Sequence, residues 1–162
     1  MQRSIRGFTM VELLVALALV AILASLAMPA FDSAFERSRA DTEIEAVASV
    51  LNLARLEAIN RSESVGVLPV SDGEWASSLN VVLDENNNDV LDAGETVLRS
   101  VPAMTAGATL VEADSAGSII FNDLGALQSP NTAIEFTYTR GSTTKVVAVC
   151  VVGRVQIGAA CQ

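Results

Sequence analysis

At 162 residues the chain can bury one core of ordinary size once its long apolar N-terminal segment is set aside. A formal net charge of −9 and the absence of histidine argue against a nucleic-acid surface spread over the whole protein and remove the commonest general base and zinc ligand. Only a local basic patch could bind DNA.

In chain order, Arg3 and Arg6 precede an apolar stretch that is uninterrupted from Leu13 to Ala24 and that Leu26 to Met28 extend to Pro29. Counted from Phe8, the run is about long enough to cross a bilayer as a helix, with the arginines on the cytoplasmic side. A secretory signal cut near "ASLA" would explain the basic start and apolar middle, but not Glu12. A carboxylate deep in hydrocarbon costs on the order of 2.5 to 3.5 kcal/mol, so it needs a partner. Cleavage after Gly7 would supply one. The new α-amino group would sit on Phe8, four residues before Glu12 and on the same helix face, within reach of its own chain or of a neighbouring subunit.

The stretch "GFTMVE" followed by an apolar helix resembles the class III signal of type IV pilins and type II secretion pseudopilins. The resemblance implies that a prepilin peptidase cuts after Gly7 and N-methylates Phe8. It also implies that Glu12 neutralises the N-terminal amine of a neighbouring subunit during assembly, and that Pro29 is the family's distal proline. Burying either charge alone is costly, so such a pair would favour correct axial register.

The segment from Ala30 to about Glu63 lacks glycine and proline and spaces Ile44, Val47, Leu51, Ala54 and Ala58 three and four residues apart, which predicts an amphipathic helix. Pro29 would kink the combined helix rather than end it. Glu36, Arg37, Arg39, Asp41, Glu43 and Glu45 read as a solvated face. From Val65 onward about seven short β-rich runs follow: "VGVLPV", "LNVVL", "TVLRSV", "ATLVE", "SIIF", "AIEFTYT" and "KVVAVCVVGRVQI", with "TRGSTT" as a hairpin connection. The expected class is α+β, a long N-terminal helix packed on a C-terminal antiparallel β domain. Its segments are a leader (1–7), a transmembrane and assembly helix (8–29), an amphipathic helix (30–63) and a β-rich periplasmic domain (64–162).

The stretch "EWASSLNVVLDENNNDVLDAGETVLRS" and the "GR" flanked by cysteines resemble the GspH/FimT branch of minor pilins and pseudopilins. That resemblance implies a minor type IV pilin that helps initiate or cap a pilus, or the same role in a type II secretion pseudopilus. It further implies a single inner-membrane span with the C-terminal domain in the periplasm. The partners would be the prepilin peptidase, the inner-membrane assembly platform, other minor pilins and the major pilin or pseudopilins.

Three constellations could carry chemistry. "DENNNDVLDAGE" places Asp84, Asn86, Asn88, Asp92 and Glu95 at loop positions 1, 3, 5, 9 and 12, with the Val90 carbonyl at position 7, close to an EF-hand calcium loop. Asp89 replaces the turn glycine, and the flanks read as strands, so a solvated acidic hairpin is the competing reading. Calcium is the one cofactor these residues suggest. Cys150 and Cys161 suit a small disulfide-closed loop in an oxidising compartment, against two free thiols in a reduced protein. Between them "GRVQ" resembles the "GRxR" element of some DNA-uptake minor pilins: Arg154 matches its first arginine, but Gln156 replaces the second. A DNA-binding tip receptor is therefore the rival from another class, and the acidic balance argues against it. No catalytic set emerges: Lys145 is the only lysine and no serine has a recognisable partner, so an enzyme is not expected.

Overall fold

The structure, a computed structural model, describes residues 8–86, 88, 92 and 94–161, excluding the side chains of residues 26–30. Gly7, Asp89 and Val90 lie outside the described residues. The chain divides into two units, Met1–Arg37 and Ser38–Gln162.

One helix, α1 (Met10–Arg61), takes in the backbone at Pro29 and belongs to both units. Its start is chemically marked. The Thr9 hydroxyl accepts the Glu12 N–H at 3.2 Å, and Thr9 with Glu12 three residues later has the spacing of a capping box. Glu12 in the first turn also suits the positive end of the helix dipole. At the other end Ser62 turns left-handed (φ 56°), and the Glu63 N–H bonds the Ala58 carbonyl at 3.3 Å. This is a Schellman closure with serine where glycine is usual.

In the first unit every large apolar side chain from Phe8 to Leu23 is 54 to 84% exposed. Among the described residues no helix is long and apolar enough to cross a membrane. The described side chains of the apolar run stop at Ser25, short of the Met28 where the sequence run ends.

In the second unit the helix buries Ala40, Ile44, Val47, Leu51, Ala54 and Ala58, the three-and-four spacing expected of a core-facing stripe. Among the described residues nine strands follow: β1 (Ser64–Pro69), β2 (Leu79–Asp84), β3 (Val97–Val101), β4 (Ala108–Glu112), β5 (Ile119–Phe121), β6 (Leu127–Ser129), β7 (Ile134–Arg140), β8 (Thr143–Val149) and β9 (Val155–Ile157). They form two antiparallel sheets, ordered β3-β2-β1-β5-β6 and β4-β7-β8-β9. Val65, Val67, Ile119 and Phe121 of the first sheet and Phe136, Tyr138, Val147 and Val149 of the second fill one core with the helix stripe. Trp75 meets Phe136 edge-on at 4.8 Å and donates its indole N–H to the Ala116 carbonyl.

Two features correct the expected strand list. The long run "KVVAVCVVGRVQI" breaks into β8 and β9, because Gly153 turns at φ 79° and two bonds close the turn, Gly153 N–H to Cys150 and Cys150 N–H to Arg154. The added strand, β6, has three residues and gave no pattern to read. "TRGSTT" is the hairpin expected: Arg140 pairs with Thr143 across Gly141 and Ser142, with Gly141 at φ 54°.

Candidate assembly surface

The N-terminal helix offers a surface rather than a pocket. Its apolar residues point to every side, and a helix apolar all round is stable only when lipid or other helices cover it. Glu12 is exposed within that surface, and Phe8, the residue expected to bear the new amine, is 79% exposed.

The charged face expected along residues 36–45 is only partly solvated. Asp41 forms an ion pair with Lys145 of β8. Glu43 requires a correction, since it leaves the solvated face for a half-buried network. Its Oε2 accepts the Tyr138 hydroxyl at 2.6 Å, and its Oε1 accepts the Thr105 hydroxyl (2.6 Å) and backbone N–H (3.0 Å). Arg140 lies 3.7 Å from Oε2 and donates to the Thr105 hydroxyl oxygen at 2.6 Å and to the Thr105 and Ala106 carbonyls. Burial alone would raise the Glu43 carboxyl, but the bonds from Thr105 and Tyr138 and the Arg140 charge outweigh it and hold the group below its ordinary value. Burial first, then the hydrogen bond to Glu43 and its charge, push the Tyr138 hydroxyl up to about 12, against a partial offset from Arg140. The network straps the β3–β4 loop to the helix. Sequence reasoning missed it, although one signal was present. The alternation of β7 puts Arg140 on the inward face with Ile134, Phe136 and Tyr138, and a buried guanidinium requires a carboxylate.

At the C-terminal end Cys150 and Cys161 are joined in a disulfide, with Cα atoms 5.4 Å apart. Gln156 donates its amide to Cys150 Sγ at 3.0 Å, so the residue in place of a second arginine leans on the bridge. Arg154 is exposed in the β8–β9 turn. The turn docks on the β5–β6 hairpin: the Leu127 N–H bonds the Val151 carbonyl at 2.9 Å, and Arg55 of α1 donates to the Gly125 carbonyl at 2.9 Å.

The acidic loop closes on itself. Asp84 is fully buried and its Oδ1 accepts the Asn88 N–H at 3.3 Å. The Asn86 and Asn88 amides both donate to Asp92 Oδ2, at 3.1 and 2.9 Å, while Glu95 accepts the N–H groups of Glu85 and Asp92. Asn86, Asn88 and Glu95 thus gather around Asp92, with Asp84 bonded to Asn88, but the two amides present N–H to Asp92 where a cation would need oxygen. Among the described residues no group of three or more Cys, His, Asp or Glu is placed to hold a metal.

Comparison with known proteins adds to this geometry. The family model described as type II transport protein GspH matches residues 43–153, and that of the prokaryotic N-terminal methylation motif matches residues 2–28. The pilin-like protein PilA1 of Thermus thermophilus is 34% identical over 90 residues, which are 56% of this chain and 55% of that protein. The chain thus spans about half the length of the curated relative it matches. Among solved structures, the type IV minor pilin FimU of Pseudomonas aeruginosa superposes with a TM-score of 0.61 at 22% identity, over 78% of this chain and 90% of that one. The minor pseudopilin EpsH of the Vibrio cholerae type 2 secretion system does so with a TM-score of 0.52 at 13% identity, over 74% and 95%. At these identities the likeness is one of fold.

Proposed function

We propose that this chain, which belongs to the GspH family and carries the N-terminal methylation motif, is a minor subunit that helps initiate or cap a type IV pilus. The observation that supports this reading most directly is the exposed, apolar helix surface that follows Thr9 and holds one carboxylate, Glu12. A membrane or a bundle of neighbouring helices would cover that surface, and Glu12 would meet an amine there. The chain is inserted once through the inner membrane, cut after Gly7 by a prepilin peptidase, methylated on Phe8 and passed by the assembly platform into a filament with other pilins. Its role is packing rather than catalysis.

The GspH family match and the likeness to EpsH favour a second reading, the same role in a type II secretion pseudopilus. One experiment separates the two. In a strain deleted for this gene, loss of surface pili with normal secretion supports the pilus. Loss of secretion with normal pili supports the pseudopilus, and neither defect sinks the assembly role. DNA reception is the weaker rival, since Arg154 stands without a second arginine at Gln156.

A further inference from the structure

The first sheet ends at β3, which has no strand on its outer side among the described residues. The helix does not end with it. Beyond that edge α1 presents a stripe of exposed Arg39, Thr42, Ala46 and Ser49 and half-buried Leu53, at three- and four-residue spacing over roughly 20 Å. Between stripe and strand lie two adjoining cavities that share Ala46, Val50 and Val101. One of about 200 Å³ reaches Trp75, and one of about 220 Å³ is bounded by Arg99. Arg99 is exposed and has no ion-pair partner among the described residues, in a chain of net charge −9. The Glu43 network fixes the far wall, because it straps Thr105 to the helix.

We propose that this groove docks an extended strand of a neighbouring subunit, which adds to the free edge of β3. Its alternate apolar side chains would enter the two cavities, and an acidic residue would meet Arg99. Three features converge on that occupant. An unpaired edge favours a strand, since its row of free N–H and C=O groups is a template on which another extended backbone can pair in place of water. Six extended residues span about the 20 Å of the stripe. The unpaired guanidinium selects a carboxylate.

The source of the strand rests on the assembly reading. If the chain assembles nothing but a peptide still binds, that reading falls and the groove stands; if filaments form but no peptide binds, the reverse holds. The probe is a short, labelled, end-blocked peptide in which valine and leucine alternate with threonine and both ends carry glutamate, titrated against the full chain in non-ionic detergent. Saturable binding with a change in Trp75 emission is expected, and Trp75 is the only tryptophan. Arg99→Glu should weaken binding about fivefold, the size of one exposed ion pair, and improve binding of a lysine-ended peptide. Two peptides N-methylated on alternate residues of opposite parity should differ, one binding like the parent and one not at all. Equal loss or equal retention in both overturns the proposal, as does a parent peptide indifferent to Arg99→Glu.

Discussion

A β-carbon added to Gly153 would stand 1.7 Å from the carbonyl oxygen of Gly125. The two glycines join the disulfide loop to the β5–β6 hairpin back to back, at a distance no side chain allows. Gly153 also holds φ 79°, where L-residues are strained. Gly153→Ala should therefore destabilise the protein by about 2 to 4 kcal/mol, the sum of a left-handed residue and an overpacked contact. Gly73→Ala is the control: its φ is 71° but nothing lies within 4 Å, so about 1 kcal/mol is expected. Thermal melts of the two variants check this, and equal losses would show that backbone conformation alone accounts for Gly153.

The bond from Tyr138 to Glu43 predicts a pH window. The Glu43 carboxyl is held below its ordinary 4.5, so its contribution is present above that value and lost as pH falls through the lowered one. The Tyr138 hydroxyl is raised from 10.0 to about 12, so its contribution is complete below pH 10 and lost as pH rises through about 12. Tyr138→Phe should cost about 1.5 to 3 kcal/mol at neutral pH, because a charged acceptor loses a donor. It should also flatten the fall in melting temperature between pH 10 and 12. An alkaline limb identical to the parent's would assign that fall to other groups.

These two relationships mark where the sequence could be read and where it could not. The helix stripe from Ile44 to Ala58 and the alternation of β7 are periodic and local, and both were legible. Glu43 is one of six charged residues between Glu36 and Glu45. Nothing nearby distinguishes it, since its partners lie 62 and 95 residues away. The closeness of Gly125 and Gly153 is likewise a property of how two turns meet, and a lone glycine reads only as a turn. The division of the strands into two sheets follows from pairing across such distances, which short runs do not encode. The N-terminal end was legible because its signal lies within six consecutive residues, and the capping relation of Thr9 to Glu12 was there to be added.

The disulfide makes a separable prediction. A loop closed over 11 residues of separation should contribute about 2 to 3 kcal/mol, and Cys150→Ser with Cys161→Ser should lose that amount. A thiol assay on denatured, non-reduced protein from the periplasm should find no free thiol. Two reactive thiols would show that Cys150 and Cys161 are not joined in the exported protein and overturn the disulfide.

For the acidic loop the expected result is that calcium and magnesium, at matched ionic strength, give the same small change in melting temperature. Asn86 and Asn88 spend their amide donors on Asp92, and Glu95 is spent on two backbone N–H groups. A calcium ion would have to turn both amides and displace those bonds. Screening of an acidic surface acts alike for both ions. Were calcium a ligand, ten times its dissociation constant would add about 1.4 kcal/mol. A calcium-specific shift lost in Glu95→Gln would make the loop a binding site and replace the hydrogen-bonded account.

Glu12 tests the assembly role at its root. Its backbone N–H is engaged by the Thr9 hydroxyl in the first turn of a helix that begins at Met10, two residues after Phe8. Cleavage after Gly7 would put a cationic amine at that end, and mass spectrometry of the mature N-terminus should find N-methylated Phe8. Removal of the carboxylate raises the hydrophobicity of the segment, so Glu12→Val should still insert and still be cut. What it should lose is incorporation. A neighbouring amine entering the helix bundle would have no counter-charge, and an unpaired buried charge costs about 3 to 5 kcal/mol, a drop of more than a hundredfold in subunit uptake. Purified filaments probed for the variant and the parent measure this directly, with membrane levels as the reference. Equal incorporation would separate Glu12 from assembly and leave it as no more than the acidic residue of a helix start.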